Sequence, residues 1–373
     1  MNRKPLKALK ALVALGFAAA AVLSAGSPAG AAAAPIKDGA KCAKSLYGKT
    51  KTSKTVLFQC VYASKTKTYT WRKVAAAPTT IPAIDLTKLD KTGWPAKFVV
   101  GGVPAENVTT MQTKWGGLIK LFQDELGIPV EFYAGTSYAG VIEAAIANKV
   151  DMVAWGAMSY IVAGLNGAKL EPMGITKYVD GTTSYTSKLV VPATSSITGI
   201  AGLRGKTVCF VSSTSTSGNL IPTEGILAAG LKMSDLTQSF KGSHDNSILG
   251  LGAGQCDAAF AQEATVAAIG TGTFSAMRAT DYKVIWTSAP IPNGPFTVRA
   301  TLPASFKAAV KNILLTKLNK EYFVSRGYNG CTAVDTCIIV EDKNTASFVT
   351  VTDAFYDTIR KVCEATKSPA CKA

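Results

Sequence analysis

The chain has 373 residues, 47% of them hydrophobic and 17% charged, enough apolar material for two or three folded units and far from the composition of a disordered polymer. Its formal net charge of +16 is local: four cations lie in the first 34 residues, and residues 35–80 hold ten Lys or Arg against one acid, Asp38. The remainder carries 26 cations and 23 acids, which excludes a nucleic-acid-binding body.

In chain order, Arg3, Lys4, Lys7 and Lys10 precede the apolar run ALVALGFAAAAVL, and small residues follow to Ala34. Residues 1–34 read as a secretory signal. The apolar run is shorter than the ~20 residues of a membrane-spanning helix. Serine stands in LSAGS where a lipoprotein signal carries its acylated cysteine, and the first cysteine is Cys42. The expectation is an exported, extracytoplasmic protein without a lipobox cysteine. Export makes the eight cysteines legible as disulfides. Sequence does not fix the pairing; the expectation is neighbour with neighbour, Cys42 with Cys60, Cys209 with Cys256, Cys331 with Cys337, and Cys363 with Cys371. One histidine and no CxxC argue against a metal centre. Residues 35–80, with Tyr47, Phe58, Tyr62, Tyr69, Trp71 and the alternating TVLFQCVY, read as a small basic, disulfide-pinned β extension. It is either a solvated spacer or a contact for anionic wall polymer or lipid headgroups. Residues 81–96 read as a linker.

From Lys97 strands and helices alternate: KFVVGGVP is a strand, VTTMQTKWGGLIKLFQDELG a helix, PVEFYAG a strand, YAGVIEAAIANK a helix, and VDMVAWGAM a strand. GKTVCFV, QCDAAFA and YKVIWTS continue the order. Such alternation predicts an α/β fold of mostly parallel sheets, with ligands gathering beyond the carboxyl ends of the strands. There, between the strand KTVCFV and the helix LIPTEGILAAGL, lie six consecutive hydroxyl residues, Ser212 to Ser217, then Gly218. A helix N-terminus offers unpaired N–H groups and partial positive charge, and Ser215, Thr216 and Ser217 add short donors. One hydroxyl suffices to cap a helix; six point to a tetrahedral oxyanion.

The segments TSYAGVIEA, KVDMVAWGAMSY, LRGKTVCFVSSTSTSGNLIP, GSHDNSILGLGAGQCDAAFA and VIWTSAPIPNGPFTVR together resemble the phosphonate-binding proteins of bacterial ABC importers, over roughly residues 97–325. The resemblance implies a two-lobed venus-flytrap of the type II periplasmic-binding class. The chain then crosses between lobes near Val190 to Thr194 and near Ile291 to Val298. One lobe comprises residues 97–189 and 299–373, the other 190–298. Carried over, the anion-binding hydroxyls fall on Ser215, Thr216 and Ser217, the histidine on His244 of GSHD, where a charge-assisted bond is expected, and two tyrosines of the opposite lobe on Tyr138 and Tyr160. Glu106 and Asn107 are candidates for the cleft mouth. Gln262 and Glu263 are candidates for contact with the non-phosphorus end of the ligand. The implied partners are a small oxyanion and an ABC permease.

One departure bears on the ligand. Relatives that take aminoalkylphosphonates carry an acid in an IPxDP segment, whereas Ile291 to Pro295 reads IPNGP here. Phosphite, methylphosphonate or another simple alkylphosphonate is therefore expected ahead of an amino-bearing ligand, with phosphate or another oxyanion as the alternative. An acid at Gly294 is expected to narrow the gap. A hydrolase built on Ser217, His244 and Asp257 is disfavoured, since GTSYAG has Ala139 where a nucleophile elbow requires glycine. No P-loop or dinucleotide fingerprint is present, so neither an enzyme nor a cofactor is expected. The competing class is a wall-associated binding or structural protein working through the basic extension.

Overall fold

The structure is a computed structural model that describes residues 36–43, 50–53, 56–63, 68–76, 84–340 and 343–371. The expected export signal and Tyr47 lie outside the described residues. In the extension, β1 (Thr50–Ser53), β2 (Val56–Ala63) and β3 (Thr68–Ala76) form an antiparallel sheet in that order. Phe58, Cys60 and Trp71 bury together, and the Cys42–Cys60 disulfide pins the leading segment to β2. Of the stretch read as a linker, residues 84–96 lie against the body. Leu86, Leu89 and Trp94 pack on its core, and Trp94 Nε1 donates to Ser305 Oγ at 2.9 Å. Burying these apolar side chains outweighs the Thr and Pro signals that suggested a free tether.

The body begins β4 (Phe98–Gly102), α1 (Val108–Leu126), β5 (Val130–Tyr133), α2 (Tyr138–Ile146), β6 (Met152–Ala154), α3 (Ala157–Leu165), β7 (Leu170–Tyr178). It continues β8 (Ser184–Tyr185), β9 (Ser187–Pro192), β10 (Thr207–Phe210), α4 (Ile221–Ala228), β11 (Thr237–Phe240), α5 (His244–Gly252), β12 (Ala258–Gln262), α6 (Glu263–Ala267), β13 (Tyr282–Thr287), β14 (Ile291–Pro292). It closes with β15 (Phe296–Arg299), α7 (Ala304–Thr316), α8 (Lys320–Arg326), β16 (Thr345–Val349) and α9 (Asp357–Thr366). α1 shows why such segments are helices: Asn107 caps it by accepting from Thr109 N, Gly127 ends it at φ 68°, and Met111, Trp115, Leu118 and Phe122 recur along one buried face.

The strands sort into two sheets, ordered β16-β7-β15-β6-β4-β5 and β11-β10-β12-β9-β13. β4 runs parallel to β5 and β6, and β10 parallel to β11 and β12. β7, β15 and β16, like β9 and β13, pair antiparallel. The sheets are therefore mixed rather than mostly parallel: β9 and β15, which follow the two crossings, and β16 run against the other strands of their sheets. β8 and β14 are the crossings themselves, paired side by side as Tyr185 with Ile291 and Ser184 with Pro292. The first crossing thus falls between Tyr178 and Ser187, upstream of Val190 to Thr194, since Val190 and Val191 continue a buried strand of the second sheet. The second occupies the expected segment, with Phe296 to Val298 already in the first sheet.

All four expected disulfides are formed, Cys42–Cys60, Cys209–Cys256, Cys331–Cys337 and Cys363–Cys371. Cys209–Cys256 ties β10 to the segment entering β12, beneath the hydroxyl-rich turn.

Gly294 has a steric role that its sequence context did not reveal. A Cβ there would lie 1.7 Å from the carbonyl oxygen of Trp155 and 2.9 Å from the carbonyl carbon of Gly156. The second crossing therefore slides against the turn into α3, and an aspartate at 294 cannot enter the cleft without displacing that turn. Gly294→Ala should destabilise the protein by about 2 kcal/mol or more in urea melts; unchanged stability would show that the crossing relaxes freely.

Candidate ligand-binding site

Beyond the carboxyl end of β10 the chain turns through Val211–Ser215 and enters a single π-helical turn, Thr216–Leu220, which leads into α4. Ser215, Thr216 and Ser217 are 2%, 2% and 1% exposed. Their oxygens have separate tasks. Ser215 Oγ accepts from Gly218 N at 3.0 Å, the ordinary capping bond. Thr216 Oγ1 accepts from Met158 N at 2.8 Å, a bond to the first turn of α3 in the opposite lobe. Ser217 is anchored through its carbonyl, which accepts from Ser187 Oγ at 2.6 Å, so its hydroxyl is not needed to hold the turn. Each hydroxyl keeps its own proton to donate. Gly218 sits behind the turn rather than in the lining: a Cβ there would lie 2.2 Å from Val211 Cγ2.

His244 opens α5, whose N-terminus is capped by Ser243 Oγ accepting from Asn246 N. Its ring is 2% exposed, and Nδ1 accepts from the backbone N–H of Gln262 at 3.0 Å. That bond fixes the neutral tautomer with its proton on Nε2. Burial pushes the imidazole pKa down to about 3. The ring is thus a neutral N–H donor, and the expected bond to an oxyanion would take its charge from the acceptor. Its backbone N–H donates to Ala105 O at 3.0 Å, and Asp245 Oδ2 accepts from Asn107 N at 3.1 Å, so both bonds cross between the lobes. Burial raises the Asp245 pKa, against the opposing effects of that N–H and of Lys114.

These elements enclose a cavity of about 80 Å3 lined by Ser215, Thr216, Ser217, His244, Tyr138, Gln262 and Glu106. Trp155, Gly156, Tyr178, Tyr185 and Asn293 also line it and were not singled out in the sequence; they follow β6 or sit on the crossings, where the strand-end rule could have directed attention. Asn293 is fully engaged by the hinge: Nδ2 donates to Thr176 O, Oδ1 accepts from Tyr178 OH, and its carbonyl accepts from Tyr356 OH. Among the described residues no Lys or Arg lines the cavity. The site is a set of neutral donors in an aromatic frame.

Besides Gly218, three expected residues lie outside the lining. Tyr160 is one turn into α3, facing away; its hydroxyl donates to Asp353 Oδ1 at 2.7 Å and its ring lies 5.2 Å from that of Tyr356. Its position follows from α3 starting at Ala157, where a longer strand was expected. Burial, reinforced by Asp353, raises its phenol pKa. Asn107 is spent on capping α1. Glu263 Oε2 accepts from Thr186 Oγ1 at 2.6 Å, outside the lining. Asp257 accepts from Thr207 N at the start of β10, the end remote from Ser217, so no Ser-His-Asp array forms.

Two α/β lobes joined by paired crossings and closed on an anion-sized cavity define a type II periplasmic-binding receptor. A family model described as "ABC transporter, phosphonate, periplasmic substrate-binding protein" matches residues 100–336, and the chain belongs to that family, an extracytoplasmic substrate-binding component of a transporter rather than an enzyme. It is 34% identical over 292 residues to the Phosphate-import protein PhnD of Mycolicibacterium smegmatis, covering 75% of this chain and 89% of that one. It is 26% identical over 220 residues to the Phosphonates-binding periplasmic protein of Escherichia coli, covering 58% and 64%. The structure of PhnD1 from Prochlorococcus marinus in complex with methylphosphonate matches with a TM-score of 0.63 at 19% identity, covering 74% of this chain and 99% of that one.

The neutral His244 has a measurable signature. The unfolded chain takes up its proton near the ordinary value of 6.5, the folded chain only near 3. Stability therefore falls as pH drops below 6.5, with His244 contributing at most about 1.4 kcal/mol per pH unit. His244→Gln, which can place an amide N–H close to Nε2, should flatten this slope in urea melts between pH 6.5 and about 5, while keeping oxyanion affinity within about tenfold. His244→Ala should flatten it and lose the affinity. An unaltered slope in both variants would mean that the ring is charged in the folded state.

Proposed function

We propose that the protein captures a small phosphorus oxyanion, phosphite, methylphosphonate or another simple alkylphosphonate, between its two lobes and presents the closed form to an ABC permease. The observation that carries this reading is the convergence of the Ser215–Ser217 turn and His244 Nε2–H on a cavity of about 80 Å3 without a lining cation. Fixed neutral donors hold a tetrahedral anion by hydrogen bonds whose geometry is set before it arrives. The apolar part of the lining, with Met111, Trp115 and Phe296, suits a P–H or P–CH3 group. Phosphate is the second reading, favoured by the Glu106 carboxylate in the lining and by the 34% identical relative named for phosphate import. An amino-bearing phosphonate fits less well. Gly294 has no space for an acid, Glu263 is engaged by Thr186, and an ammonium at Glu106 would compete with Lys114. The cation-rich extension at 35–80 offers a contact for anionic wall polymer or headgroups, separate from capture of the solute.

Calorimetric titration should give tighter binding of phosphite or methylphosphonate than of 2-aminoethylphosphonate, by at least about tenfold. Replacing Ser215, Thr216 and Ser217 together by Ala should weaken binding by roughly 1 to 3 kcal/mol per lost donor. Tightest binding of the amine, or undiminished affinity in the triple variant, would overturn the reading.

A further inference from the structure

Glu106 is the one Asp or Glu that lines the cavity among the described residues, and it shares that lining with the donors Ser215, Thr216, Ser217 and His244. Two bonds set its position. On one side Ala105 O accepts from His244 N, and on the other Asn107 N donates to Asp245 Oδ2. The segment 105–107 is thus fastened to the first turn of α5 in the opposite lobe, which holds Glu106 in the cavity lining with His244. Lys114, from α1, donates to Glu106 Oε2, with side-chain exposures of 27% and 16%. α1 holds the lysine outside the lining while its ammonium pairs with the carboxylate.

An ionised carboxylate only accepts hydrogen bonds. Against a bare oxyanion oxygen it is repulsive; against a P–O–H it takes a short charge-assisted bond. We infer that Glu106 is a specificity-determining residue that reads a proton on the ligand, admitting oxyanions that retain one P–O–H and rejecting fully ionised ones. The inference rests on the proposed capture of a phosphorus oxyanion. Hydrogen phosphate keeps its hydroxyl throughout the neutral and mildly alkaline range. Sulfate, of nearly the same shape, has no proton to offer. Phosphite and methylphosphonate keep theirs only below a second ionisation that falls near neutrality, as for a phosphomonoester at about 6.

The test is calorimetry on the mature chain with inorganic phosphate and sulfate at about pH 8, for the unmodified protein and Glu106→Gln, with methylphosphonate titrated into the unmodified protein near pH 6 and near pH 9. The unmodified protein should prefer phosphate over sulfate by at least about a hundredfold, and Glu106→Gln should bring that ratio below about tenfold. Methylphosphonate affinity should fall at least about tenfold from the lower to the higher pH. A phosphate-to-sulfate ratio unchanged in Glu106→Gln overturns the inference, as does a pH-independent methylphosphonate affinity, which decides the matter if the variant does not fold. Should the unmodified protein bind none of the phosphorus oxyanions, the proposed function fails and the inference with it; a failure in Glu106 alone leaves that function standing.

Discussion

The bond from Met158 N to Thr216 Oγ1 is the constraint on which the site depends. It joins the first turn of α3, in one lobe, to the hydroxyl-rich turn after β10, in the other. A threonine oxygen that accepts a backbone proton has its own hydrogen left to direct elsewhere, so the same atom closes the lobes and presents a donor. The backbone bonds of His244 to Ala105 and of Asn107 to Asp245 repeat the arrangement at the neighbouring edge of the cleft. Thr216 and His244 thus both line the cavity and bond one lobe to the other.

Neutrality is the second theme. A buried cation would bind anions more strongly and less selectively, and it would need a counter-charge when the cleft is empty. Here the histidine is kept uncharged by burial and by the N–H of Gln262, and the acids near the cleft, Glu106 and Asp245, are balanced by Lys114 from outside the lining. The excess cations of the sequence sit on the extension, so the charge that dominates the composition takes no part in lining the cavity.

Much of this was legible in the residues. The strand-to-helix alternation and the STSGN turn follow from local chemistry and led to the α/β class and one wall of the cavity; the two lobes came from the family resemblance, and the disulfides from pairing neighbouring cysteines. What was hidden depended on distance in space. Tyr160 was placed at the cleft by the family resemblance, but a helix starting at Ala157 turns it toward Asp353. The crossing at residues 179–186 was hidden because LVVP reads the same in a sheet as in a connection. Asn293 and Tyr178 gained meaning only when the two crossings were seen paired, since their partners lie more than a hundred residues away.

The contact of Gly294 with Trp155 also limits what this lineage can become. An acid at position 294, the change that would answer an ammonium from the IPNGP segment, is sterically shut out here. New specificity must arise instead at positions such as Glu106 or Gln262, whose side chains already occupy the cavity wall. Divergence in ligand preference among descendants of this chain would then be written in the segment after β4 and at the end of β12, while the hinge stays glycine.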